Sequence, residues 1–339
     1  MNDLEYFIMS IAQSIINQNS CEISTKANGE MKVAIMDFFV AFNGSSYTKT
    51  MQNTILFKPG KKEQKTKLIK TNTHLYHIVD ILLLSGLFFD DLIDVNITGI
   101  TDMVDSFRIT HWKVFRQIRY DGFKLIIHKR GFAPDGDGLI NLKIIPYLKK
   151  DEYNKKEHRN TMSRLGVSYR NIKQIKADEV TKIRGLVVSS RIGSDFVSRM
   201  TKIIKERCQE QVKNTKVLSI LNNKNDSGPS AGYEAFITAE TDSGIFYSGR
   251  TAQSNDKPEI LINEVIDELF EAIDQEVIYD KKLLNRIFFY MANGSGVGQL
   301  ACKEIDEKCL EAIKEWFGVD YGLKKSGEYR IISIIGKYQ

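Results

Sequence analysis

The stretch "KRGFAPDGDGLINLKI", Lys129 to Ile144, decides how this chain is read. A basic pair leads into a loop with one proline, three glycines and two aspartates. From Gly138 onward, Ile140, Leu142 and Ile144 alternate with more polar neighbours, the period of a strand with one face in a core. "FKLIIHKRG" before the loop has strand character too, so the stretch reads as a hairpin. Proline is scarce, five in 339 residues. Turn chemistry alone explains the loop, because proline fixes φ while Gly and Asp tolerate positive φ. The competing reading is a glycine-rich loop that turns backbone amides toward a phosphate, with Lys129 and Arg130 adding charge. Asp135 and Asp137 oppose a tight phosphate cradle.

Working outward, a pattern emerges. His74 to Leu87 is apolar with helical spacing, "LIDVNITGI" alternates, and Thr101 to Tyr120 can form an amphipathic helix. With the hairpin, the order is helix, strand, helix, strand, strand. Leu4 to Ile16, "SCEISTK", Met31 to Phe42, "SSYTKT" and "NTILFKP" give the same order at the start. Leu283 to Ala292, "GQLACKEI", the stripe Ile305, Cys309, Ile313, Trp316 and Phe317, then "YGLKK" and "YRIISIIGKY" give it at the end. The expected fold is α/β (α+β): three such units in a pseudo-threefold core spanning residues 1–178 and 279–339. Residues 179–278 interrupt the pattern. "KIRGLVVSS", "KVLSIL", "YEAFITAET" and "GIFYSGR" read as strands, Phe196 to Cys208 as a helix, and Pro258 opens a longer one. Four strands and two helices predict a small inserted α/β domain. Residues 148–178, polar and basic, read as a linker within the core segment.

Charge is uneven. The net value is +5, but Lys58 to Lys70 holds six Lys against one Glu, and Lys149 to Lys176 nine Lys or Arg against three acids. Such runs suit solvated loops or a polyanion partner. The four cysteines make no CxxC pair. Cys302 and Cys309 lie seven apart on an expected helix, facing a core. The five histidines, His74, His77, His111, His128 and His158, lack metal-ligand spacing. We therefore expect no metal and no cofactor, and a reducing, intracellular setting. The apolar stretch Ile78 to Phe89 contains Asp80 and is too short to span a bilayer, so it reads as a buried helix and no membrane is implied. In "RIGSDFVSRM", Ser194 or Asp195 is positioned to cap a helix beside Arg191, which suits either an anion site or an ordinary capped surface helix.

"TGIT", "KRGFAPDGDG", "KIRGLVVSSRIGSDFVSRM" and "GPSAGYEAFITAETDSGIFYSG" occur in the order seen in the RNA 3'-terminal phosphate cyclase superfamily. The chain most resembles its eukaryotic, nucleolar cyclase-like branch. The resemblance begins near Tyr47 and is strongest from Thr98 to Arg250. The family loop RGxxPxGGG here reads RGFAPDGDG, with Asp137 in place of the middle closing Gly. The resemblance implies three repeated units with an inserted domain. True cyclases use ATP, are adenylylated on a histidine in the third repeat, and carry an N-terminal GGGQ-type segment. This chain has no histidine beyond His158 and no such glycine run; Lys282 falls near the nucleophile position. Many cyclase-like members carry R-D-L-K before F-F-G in the last helix. The matching residues here are Glu311, Ala312, Ile313 and Lys314 before "EWFG", without the Arg and the Asp.

The resemblance thus implies a non-catalytic ribosome biogenesis factor in the nucleus and nucleolus, with no catalytic residues assigned. Its implied partners are a nucleolar assembly GTPase, pre-rRNA and a small nucleolar ribonucleoprotein, and it is expected to be a monomer. Lys129, Arg130, Arg184, Arg191 and Arg199 are the candidate anion-, RNA- or partner-binding residues. The alternative is an active RNA-processing enzyme, either a divergent cyclase or a pre-rRNA endonuclease. A small-molecule transferase is compatible with the fold alone.

Overall fold

The computed structural model describes residues 1–24, 28–50, 53–147, 171–252 and 256–337. The chain opens with α1 (Asp3–Asn17), β1 (Cys21–Ser24), α2 (Gly29–Asn43), β2 (Ser46–Lys49) and β3 (Thr54–Lys58), whose strands pair antiparallel in the order β1-β3-β2. Asn2 starts α1 by accepting the Glu5 N–H at 2.8 Å. The helix then buries Phe7, Ile8, Ile11, Ala12, Ile15 and Ile16, each side chain contributing roughly 1.5–3 kcal/mol if large and fully covered.

Next come β4 (Leu68–His74), α3 (Leu75–Gly86), β5 (Ile93–Ile100), α4 (Asp105–Gln117), β6 (Phe123–Lys129) and β7 (Gly138–Ile144), with sheet order β4-β5-β7-β6. The register pairs Ile97 with Ile140, Val95 with Leu142 and Ile93 with Ile144, all buried. That alternation is the one visible in the sequence. β4 was not expected. "LIKTNTH" has little apolar signal, and it is a strand because it pairs parallel with β5.

Residues 148–170, most of the expected basic linker, lie outside the described residues. After the two-residue β8 (Lys173–Gln174) come β9 (Lys182–Ser190), α5 (Ser194–Gln211), β10 (Thr215–Asn222), β11 (Gly232–Glu240), β12 (Ile245–Thr251) and α6 (Pro258–Gln275). Their sheet runs β10-β9-β11-β12, with β9 and β10 parallel. One sheet face packs on α5 and α6 through Ile183, Val187, Tyr233, Ala235, Ile237 and Phe246, forming a separate hydrophobic cluster. From the other face Phe236, Ile245 and Tyr247 enter the larger core. Buried on both faces, β11 lacks the half-exposed alternation of an ordinary antiparallel strand.

The chain finishes with α7 (Lys281–Ala292), β13 (Val297–Cys302), α8 (Glu307–Phe317), β14 (Tyr321–Ser326) and β15 (Tyr329–Ile335), in the sheet β14-β15-β13-β8. Cys302 and Cys309 do not share a helix. Cys302 ends β13 and Cys309 sits in α8, both buried. The turn at Lys303–Asp306 interrupts what the sequence suggested was one helical run, and Asp306 caps α8 by accepting the Cys309 N–H.

α3 is buried nearly all round, which leaves Asp80 with no exposure to water. Arg286 of α7 answers it: Nε lies 3.1 and 3.0 Å from the two Asp80 carboxylate oxygens and Nη2 at 2.6 Å from one of them. Its Nη1 reaches Glu5 of α1 at 2.7 Å. One guanidinium thus ties together helices from three distant parts of the chain. Removing one member of such a set strands a buried charge, which costs about 3–5 kcal/mol. Asp80→Ala is expected to lose about that much in urea unfolding. Asp80→Leu with Arg286→Met should recover most of it, and an unshifted Asp80→Ala midpoint would refute the role given to the network.

Candidate functional site

The RGFAPDGDG loop lies where β6 and β7 meet the 226–234 segment that leads into β11. Arg130 N donates to Asp226 O at 3.2 Å, and Gly228 N donates to Arg130 O at 2.6 Å. Asp135 N donates to Ser230 Oγ at 3.1 Å, and that hydroxyl donates back to Asp135 Oδ2 at 2.7 Å. The approach is close enough that a Cβ on Gly228 would overlap the Gly136 carbonyl oxygen. Gly136 and Asp137 both take positive φ, 63° and 56°. Aspartate is one of the few non-glycine residues that adopts this conformation readily, which explains its tolerance here. Its side chain is 60% exposed and pairs with Lys129.

Arg130 does not face an anion. Its side chain is 4% exposed, with Nη2 on Asp105 at the start of α4 and Nη1 on Glu234 of β11 at 3.2 Å. This overturns the expectation that Arg130 is offered to a ligand. A basic pair beside a glycine loop looks like surface in sequence, but the carboxylates that enclose this guanidinium lie 25 and 104 residues away. Met103, at φ 57°, donates its N–H to Glu234 at 2.6 Å. Glu234 is pushed up to about 7, first by burial, with Asp105 and Asp102 adding to the rise and Arg130 opposing it.

Beside this lies Asp102, pushed up to about 6 by burial. Its Oδ2 is 3.6 Å from His74 Nδ1, and its buried Oδ1 has no partner among the described residues. His74 is 42% exposed and lowered by its partial burial. His77 and His111, deeper inside, are held down at about 4 by burial. Further along the seam, the Lys282 ammonium lies 5.3 Å from the centre of the Tyr247 ring. Its backbone N–H is accepted by Asp280, which caps α7. Lys282 is exposed, without the apolar enclosure that makes a lysine nucleophilic.

The remaining candidates are scattered over the 179–278 segment. Arg184 donates to the Asn214 backbone and side-chain oxygens at 3.0 and 3.3 Å. Arg191 is exposed in a left-handed conformation at the end of β9. Arg199 pairs with Glu259 at 2.7 Å and covers the Phe196 ring. The cap of α5 is Gly193, with no side-chain bond, and Ser194 and Asp195 already lie in its first turn. Among the described residues no group of three or more His, Cys, Asp or Glu could hold a metal. The residues missed in the sequence are Asp102, Asp105 and Glu234. A single acid in the apolar run "GYEAFITA" was the available signal for Glu234, since an inward charge requires a buried partner.

Comparison with known proteins fits this architecture. The profile of the RNA 3'-terminal phosphate cyclase family matches residues 40–320, and the chain belongs to that family. Its relatives fall in the cyclase-like branch. A "Probable RNA 3'-terminal phosphate cyclase-like protein" of Dictyostelium discoideum is 27% identical over 180 residues, 51% of this chain and 43% of that protein. One of the same description from Arabidopsis thaliana is 24% identical, covering 79% of this chain and 74% of that protein. An "rRNA processing protein rcl1" of Schizosaccharomyces pombe is 24% identical over 91% of this chain and 87% of that protein.

The raised carboxyl groups have a sign. A carboxyl whose folded pKa exceeds its unfolded value holds its proton more tightly when folded, so its contribution is full at low pH and lost as pH rises. Asp102 and Glu234, together with Glu276, which burial pushes up to about 7, put this loss between about 4 and about 7. Unfolding free energy is expected to fall across that window, and Glu234→Gln should flatten the fall. A stability that rises over the same range would contradict the assignment.

Proposed function

We propose that this chain acts in rRNA processing as a small-subunit assembly factor, without cyclase chemistry. The observation that carries the reading is its match, over 87% of the relative's length, to a protein named for rRNA processing. The chain's own sequence supports the non-catalytic part. No histidine follows His158, so the third repeat offers no imidazole to adenylylate. Lys282, near that position, is solvent-exposed. The family's signature loop is occupied with internal bonds through Arg130, Asp135 and Gly228 rather than held open. In this reading the protein works as a monomer in the nucleolus, bound to an assembly GTPase and to pre-rRNA in the company of a small nucleolar ribonucleoprotein. The 179–278 segment, with Arg184, Arg191 and Arg199, together with Lys129, offers the partner-facing surface.

A second reading, a divergent RNA-processing enzyme, has one observation in its favour. Asp102, with a buried unpartnered oxygen and a pKa of about 6, lies beside a half-exposed histidine at the seam. Such a carboxyl can take up and release a proton near pH 6.

The two readings separate in one experiment. Depleting the protein in its own cells should leave unprocessed precursors of small-subunit rRNA, and Asp102→Asn should restore processing as well as wild type does. Purified protein given ATP and an RNA 3'-phosphate should form no 2',3'-cyclic end. Cyclisation, or normal rRNA precursors after depletion, would overturn the proposal.

A further inference from the structure

β10 ends its sheet: no described strand pairs along its outer side. Its ladder to β9 is unbroken from Thr215↔Ile183 to Asn222↔Ser190. Asn214 O accepts from Ile183 N and Asn222 O accepts from Arg191 N. A parallel ladder uses alternate residues, so the even-numbered residues of β10 turn their backbone groups to β9. Val217, Ser219 and Leu221 turn theirs outward.

The side chains are as open as the backbone. Val217 packs toward α5 and α6, so by alternation Leu218 points from the opposite face, where it is 69% exposed; Leu221 is 53% exposed. On that open face Lys216 lies beside Arg184 of β9, and Leu218 beside Leu186, a basic row next to an apolar row. Natural edge strands are usually blunted by proline, bulges or several charges. β10 has no proline, no register shift and one lysine. Lys213 and Lys224 flank it, with Glu210 before the first and Asp226 after the second.

We propose that β10 is a docking strand for an extended segment of a partner protein, with apolar residues at its centre and acidic residues at its ends, added as a fifth strand. Main-chain hydrogen bonds to Val217, Ser219 and Leu221 supply the attachment, Leu218 an apolar contact, and Lys213, Lys216 and Lys224 the selection for acids. A second copy of this chain fits less well. Self-pairing along this edge would bring Lys213, Lys216 and Lys224 of both copies to one junction, and like charges so gathered repel. The inference stands on the sheet alone and does not depend on the rRNA-processing reading.

The test is fluorescence anisotropy of the full chain with a labelled eight-residue peptide, Val-Thr-Val-Val at the centre and two glutamates at each end. The control peptide carries lysines in place of the glutamates. Ser219→Pro removes an outward N–H and leaves the bonds to β9 intact, a position where an edge strand tolerates proline. Lys216→Glu, at an exposed site, serves should the proline variant not fold. Saturable binding of the acidic peptide is expected, about tenfold weaker in Ser219→Pro, with Lys216→Glu shifting preference toward the lysine peptide. No binding, equal binding of both peptides, or wild-type affinity in both variants would overturn the proposal. So would a concentration-dependent dimer, seen by sedimentation and abolished by Ser219→Pro, which would make the occupant a second copy.

Discussion

The seam between the two hydrophobic clusters depends on one guanidinium held away from water by two carboxylates. Arg130 takes Asp105 from α4 and Glu234 from β11, and its backbone bonds Asp226 and Gly228 as well. Side chain and main chain of a single residue therefore hold the 179–278 segment against the rest. A charge this deeply buried is tolerated only with close, well-oriented partners. That requirement fixes where the RGFAPDGDG loop, the start of α4 and the start of β11 lie. Burial, aided by the neighbouring Asp105 and Asp102 and opposed by Arg130, keeps a proton on Glu234 to near neutrality. The Arg286, Asp80 and Glu5 set solves the same problem among helices.

Much of this was legible in the sequence, and the failures have physical causes. Elements with a strong apolar period were read correctly: α3, β5, β7, α5, β11, β12 and α6. β4 was missed because Lys70, Thr71 and Asn72 give it no apolar alternation, and only its parallel neighbour β5 makes it a strand. The helix start at α5 was misplaced because Ser194 and Asp195 are cap-type residues, yet Gly193 takes the cap. Arg130 was read as facing a ligand because a sequence shows charge but not enclosure. Its partners Asp105 and Glu234 come together only in the folded chain.

This placement bears on what the family loop does in this chain. A cradle for a phosphate needs free amides and an open approach. Here the Arg130, Asp135 and Gly228 amides are bonded within the protein, and Asp137 adds a carboxylate at the rim. The loop serves as a joint, its one deeply buried cation turned to Asp105 and Glu234.

The central claim is that Arg130 secures the seam through Glu234. The most direct measurement is a double-mutant cycle in urea unfolding with Arg130→Met, Glu234→Gln and the pair, at about pH 8 where Glu234 is ionised. Arg130→Met should cost about 3–5 kcal/mol. The double variant should be less destabilised than the sum of the singles, with a coupling of about 2 kcal/mol or more. Single variants that unfold like wild type, with additive effects, would place Arg130 outside the structural joint and contradict the account.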